Sequence, residues 1–239
     1  MRGGAVSLAG CAAACAAALA QAATLAPLVT QGGELGEGWK VVGLPNQKKP
    51  YTAYSAARMD ERSAVRIAAQ ASYGNLVHAM PPGTAARTLR WSWRVDQPNA
   101  KADLHNKAGD DAAAKVCVSF DLPIEQLPFF ERQKLSMARA LGGQDFPAAT
   151  LCYIWDARLA PGTLLDNAYS RRIRQIVLRN AADGTATWRD ESRDIAADFA
   201  RAFGDEAKKV PPVSAVIVAA DADNTGLTTL AFVADLRMD

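Results

Sequence analysis

Two runs of oxygen-bearing side chains are the first chemistry visible in this chain. Lys107-Ala108-Gly109-Asp110-Asp111 precedes one strand-like run, and Asp221-Ala222-Asp223-Asn224-Thr225-Gly226 separates two others. Carboxylates and amide oxygens gathered on loops suit a hard cation such as calcium, which takes about 6–8 oxygen ligands. The same residues are also what tight strand connections use, and the second run lacks the distant Glu of a full calcium loop. Other chemistry has no signature here. His78 and His105 are the only histidines, and no Gly-x-Ser-x-Gly turn, phosphate loop, His-Glu-x-x-His or Cys-x-x-Cys is present.

Two further places carry polar chemistry. Trp155 ends a strand-like run and is followed at once by Asp156. A strand-end Trp beside a carboxylate suits a sugar ring, and it equally suits the edge of a core. Trp188-Arg189-Asp190-Glu191-Ser192-Arg193-Asp194 mixes both charge signs. On a strand, Arg189, Glu191 and Arg193 share one face, as an ion-paired edge or as a polar cleft. The candidate ligand-binding set is therefore Lys107, Asp110, Asp111, Trp155, Asp156, Arg189, Glu191, Arg193, Asp221, Asp223 and Asn224. An enzyme reading, a polysaccharide lyase or glycoside hydrolase, would take its acids from Asp110, Asp111, Glu191 and Asp221. A binding reading expects Asp111→Ala or Trp155→Ala to abolish binding while the fold survives.

These residues need a frame, and the frame reads as strands. Leu89, Trp91, Trp93 and Val95 alternate with Arg90, Ser92 and Arg94, the period-two pattern of a half-buried strand. Trp91 and Trp93 thus belong to the core face. Val116, Val118 and Phe120 alternate in the same way. Further runs at 51–58, 63–70, 74–80, 149–155, 171–179, 213–221 and 227–236 are separated by Gly, Pro, Asn and Asp. Two helices interrupt them. One spans Leu127 to Leu141 behind Pro128 and stops at Gly142-Gly143. The other runs from Ile195 to about Phe203, capped by Asp194 and stopped by Gly204. The fold class is all-β with two short helices, an antiparallel, jelly-roll-like sandwich.

The ends and the composition place this frame. Arg2, the uncharged run from Ala5 to Ala20 and the small-x-small sites Ala18-Leu19-Ala20 and Ala20-Gln21-Ala22 have the layout of a secretory signal peptide over 1–22. That leaves 23–239 as a single sandwich domain in the periplasm or outside the cell. Leu8-Ala9-Gly10-Cys11 offers a lipoprotein alternative through Cys11. Losing Arg2 with the leader lowers the net charge from +2 to +1, which gives no basic face for nucleic acid. No transmembrane segment follows in the mature chain. Cys117 and Cys152 lie in separate strand-like runs, as a disulfide or as two buried thiols; the spacing leaves both open.

Five motifs in order carry a resemblance: Leu89-Arg90-Trp91-Ser92-Trp93-Arg94-Val95; Lys107-Ala108-Gly109-Asp110-Asp111; Leu151-Cys152-Tyr153-Ile154-Trp155; Arg193-Asp194-Ile195-Ala196-Ala197-Asp198-Phe199 with Ala202-Phe203-Gly204; and Ala220-Asp221-Ala222-Asp223-Asn224-Thr225-Gly226. With them the chain resembles a family of exported bacterial proteins catalogued as domain of unknown function 3047, from about Gly38 to the end. The resemblance implies a β-sandwich and an envelope setting, and it brings no activity. The functional expectation is a non-catalytic module that binds an envelope glycan, with the enzyme or a protein-binding scaffold as alternatives.

Overall fold

The computed structural model describes residues 25–142 and 146–239; the leader expected over 1–22, with Cys11, lies outside the described residues. In chain order the first elements are β1 (Trp39–Val42), β2 (Ala53–Met59), β3 (Arg62–Gln70), β4 (Asn75–Ala79), β5 (Thr88–Gln97), β6 (Ala114–Phe120) and the helix α1 (Phe129–Gly142). Then come β7 (Ala149–Trp155), β8 (Leu164–Asp166), β9 (Ile173–Arg179), β10 (Arg189–Asp194), the helix α2 (Ile195–Phe203), β11 (Val213–Ala219) and β12 (Thr228–Met238). They build a seven-stranded sheet, β1-β4-β11-β6-β7-β9-β8, and a five-stranded sheet, β10-β5-β12-β3-β2. Every pairing is antiparallel except the parallel pair β7–β9. From β3 to β6, and again from β9 to β12, each strand lies in the sheet opposite its predecessor. The protein is an all-β sandwich.

Alternation explains which side chains meet between the sheets. Leu89, Trp91, Trp93 and Val95 of β5 face Val116, Val118 and Phe120 of β6 and Leu151, Tyr153 and Trp155 of β7, all of them buried. Four rings join the two layers. Trp91 lies 5.2 Å from Tyr153, and Trp93 meets Trp155 edge-on at 5.6 Å. Tilted and edge-on pairs at such distances are the favoured aromatic geometry. The helix α2 begins where the Asp194 carboxylate accepts the Ala197 N–H at 3.0 Å. Its buried Phe199 packs on Phe120 at 4.5 Å and on Phe203 at 5.1 Å.

Some elements escaped the sequence pattern. β1 and β8 have four and three residues, too few to display a period. The strand expected from 171 starts at Ile173, because Arg171 and Arg172 turn aside to pair with Asp166 and Glu206. Pro128 stands just before the first turn of α1, where its carbonyl accepts the Arg132 N–H at 3.0 Å.

Cys117 and Cys152 are register partners on β6 and β7, joined by a disulfide with their Cα atoms 4.0 Å apart. The bond lies on the outer face of the seven-stranded sheet, covered by Leu104 and Ala112. It closes a loop of sequence separation 35. Replacing both cysteines by serine is expected to cost about 3–4 kcal/mol through the freed unfolded chain, read as a lower guanidinium midpoint. An unchanged midpoint would mean that the bond contributes nothing to stability.

Candidate functional site

The loop from residue 98 to 113 crosses the outer face of the seven-stranded sheet and presses Leu104 and Ala112 onto Cys117, Cys152 and Ile154. Gly109 is required where this loop passes itself, since a Cβ there would lie 2.8 Å from the Asp103 nitrogen. Beyond it stands Asp111, fully buried. Its carboxylate accepts from the Thr225 N–H at 2.7 Å, from the Asn224 N–H and side-chain amide at 3.2 Å each, and from the Asn99 amide at 3.3 Å. One carboxylate thus fastens the β11–β12 loop to the β5–β6 loop. Gly226, with φ +71°, completes that turn in the left-handed region open to glycine.

Asp221 is held in the same manner. One oxygen accepts the Ala112 N–H at 2.7 Å and the other accepts from the Lys115 ammonium. Burial pushes its carboxyl up to about 6, against the pull of Lys115. Asp223 is the least committed of the group. Its carboxylate receives the Asn224 amide at a long 3.5 Å, and its pKa is raised by burial and then by neighbouring Asp111. The carboxylates of Asp111, Asp221 and Asp223 each place an oxygen within 4.8 Å of the others. As a calcium cage the set fits poorly. Asp111 and Asp221 spend their oxygens on N–H donors, and Lys115 already supplies a positive charge. A cation would have to displace both.

Around this core lies a more open polar surface. Asp110 accepts from the Asn167 amide at 2.6 Å. Tyr169 donates from its hydroxyl to Asn224 Oδ1 at 2.7 Å, also approaches the Lys107 carbonyl at 3.2 Å, and carries the Lys107 ammonium 5.2 Å from its ring centre. The ring is 58% exposed. Burial, then the charges of Asp110, Asp223 and Asp111, raise the phenol pKa, so it remains a proton donor at neutral pH. Tyr169 also lines a groove of about 510 Å³ shared with Leu135, Phe146, Thr150, Asn167 and Ile173.

The structure therefore brings Lys107, Asp110, Asp111, Asp221, Asp223 and Asn224 together, and adds Asn99, Asn167 and Tyr169, which the sequence reading passed over. Nothing in Asn167-Ala168-Tyr169-Ser170 distinguishes it from an ordinary turn; only its exposure and its partners do. The other candidates serve the sandwich. Trp155 is 1% exposed against Trp93. Asp156 holds a turn by accepting the Arg158 and Leu159 N–H groups at 2.7 and 2.5 Å. Glu191 accepts from Trp93 Nε1 at 3.0 Å and from Arg179 at 2.7 Å. Arg193 forms a two-point pair with Asp198, at 2.8 and 2.6 Å, beside the Tyr153 ring. Arg189 donates to the Asp183 carbonyl. Asp111→Ala and Trp155→Ala are for this reason expected to lower stability as well as any binding.

No curated protein matches the chain. A family model described as "Protein of unknown function (DUF3047)" matches residues 37–237, and the chain, with its sandwich and its paired Asp loops, belongs to that family.

Proposed function

We propose that the chain is an exported, non-catalytic module that holds a glycan on the surface formed by Lys107, Asp110, Asn167, Tyr169, Asp223 and Asn224. The observation that carries this reading is the exposed Tyr169 ring, fixed through its hydroxyl beside planar amide and carboxylate groups at the groove. Sugar rings offer an apolar C–H face to an aromatic and hydroxyls to such side chains, and a groove of a few hundred Å³ suits a small ligand. Export is supported by the leader-like first residues and by a disulfide that belongs in an oxidising compartment. Among the described residues, no helix is long and apolar enough to cross a membrane. Of the acids that the hydrolase or lyase alternative would use, Asp221 has its pKa raised by burial. Asp221, however, is held by Lys115 and Ala112.

The test is retention of the purified chain on a panel of immobilised polysaccharides, with calcium and with chelator, with released sugars assayed overnight. Retention without products, unchanged by chelator, is expected. Tyr169→Ala is expected to weaken it about tenfold, ~1.4 kcal/mol, with an unaltered melting temperature. Released products would put the enzyme reading first. Retention that survives Tyr169→Ala would move the site elsewhere, and no retention on any polysaccharide would end the glycan reading.

A further inference from the structure

A surface helix normally turns its apolar stripe inward. The helix α1 does the reverse. Of its 14 residues only Leu135 is buried. Phe130, Met137 and Leu141, spaced seven and four apart, form one stripe on the side away from Leu135. They are 76%, 64% and 81% exposed, and Phe129 beside them is 58% exposed. A helix of this length is marginal without packing, and the outward stripe has no partner among the described residues.

The charges around the stripe indicate what would cover it. Lys134 stands 75% exposed beside the stripe, whereas Arg132, two residues from Phe130, lies on the inward side of the helix and stacks on Phe129 at 5.7 Å. The one acid of α1, Glu131, is held at 3.3 Å by the buried Arg172 as well as by Lys134. The turn after β1 adjoins the far end of the helix, where Pro45 lies 3.2 Å from the Cβ position of Gly142. That turn adds exposed Leu44 and exposed Lys48, and no Asp or Glu occurs between Glu37 and Asp60. Protruding Phe, Met and Leu side chains flanked by lysines match an anionic lipid surface, into which the tips insert while the Lys heads meet phosphate. A two-fold pairing of two copies through this face would set the same cations against one another.

We infer that α1 is a membrane-surface contact, which seats the protein on an anionic phospholipid bilayer through Phe130, Met137 and Leu141 with Lys134 and Lys48 at the rim. Phe130, Met137 and Leu141 do not line the Tyr169 groove, although Lys134 stands at both, so the triple variant tests this inference separately from the glycan reading. It is tested by flotation of the purified chain with vesicles of phosphatidylglycerol and phosphatidylcholine, and with pure phosphatidylcholine vesicles. The expected result is co-flotation with the anionic vesicles, weakened at high salt, and at least about tenfold weaker with neutral ones. The triple variant Phe130→Ser, Met137→Ser, Leu141→Ser is expected to lose flotation and keep its melting temperature, since those side chains are exposed. Lys48→Gln with Lys134→Gln should weaken flotation separately. No flotation, equal flotation with neutral vesicles, or flotation that survives the triple variant would overturn the inference. So would a concentration-dependent dimer that the triple variant dissolves, since a second copy would then occupy the stripe.

Discussion

Lys115→Met is expected to destabilise the protein by about 3–5 kcal/mol at neutral pH, because it removes one partner of a buried ion pair. The side chains of Lys115 and Asp221 are 14% and 5% exposed. Without the ammonium, the Asp221 carboxylate keeps only the Ala112 N–H. The loss carries a pH signature. Asp221 already titrates at about 6 in the folded protein, above the ~3.9 of an unfolded Asp, and removing Lys115 raises it further. A carboxyl whose pKa is raised by folding binds more protons folded than unfolded. The stability it contributes therefore falls as pH rises from about 4 through the folded pKa. Urea denaturation at pH 4 and pH 7 should show a deficit that is larger at pH 7 by up to about 1.4 kcal/mol, since only about one pKa unit separates pH 7 from the folded pKa of Asp221. Pairing Lys115→Met with Asp221→Asn should recover much of the loss at pH 7, since an uncharged pair leaves no buried ion behind. A deficit equal at both pH values, and not relieved by the second change, would show that Lys115 acts through packing alone.

Trp155→Ala should lower stability by a similar amount, about 3–5 kcal/mol for a large aromatic removed from a core. The indole is 1% exposed and meets Trp93 at 5.6 Å, so the cavity would open between the two sheets. A thermal melt reads this directly, as a midpoint many degrees lower. Any loss of glycan retention in this variant should follow its unfolding, whereas Tyr169→Ala should separate the two. A Trp155→Ala chain that melts normally and still fails to bind would put the indole at the ligand surface. Asp111→Ala belongs with Trp155→Ala. Four hydrogen bonds converge on that carboxylate, and donors stranded in the interior are costly.

Much of the frame was legible because its signals are local. Alternation in β5 and β6 assigned Trp91, Trp93 and Val118 to the core, where they lie. Asp194 and Gly204 bounded α2 because a cap is made by neighbours within one turn. The two Asp loops were legible as unusual, but not as a pair. Asp111 and Asn224 are 113 residues apart, and their union depends on β6 and β11 lying side by side. For Glu191 and Arg193 the sequence left an ion-paired edge and a polar cleft both open; on β10, at the edge of its sheet, Glu191 pairs with Arg179 and Arg193 with Asp198.

The sequence by itself determined the sandwich class, the faces of its long strands and the extent of α2, all written in periods and caps a few residues long. Only the tertiary structure decided which acids are mere fasteners and which surfaces stay open. Whether a carboxylate is free depends on the donors around it, and those come from distant parts of the chain. Asp111 and Asp223 are alike as residues; one is saturated by the β11–β12 loop and the other is nearly unengaged. Tyr169 and the outward stripe of α1 became visible for the same reason. Exposure belongs to the whole fold, fixed by what fails to pack against a side chain, and no local pattern encodes it.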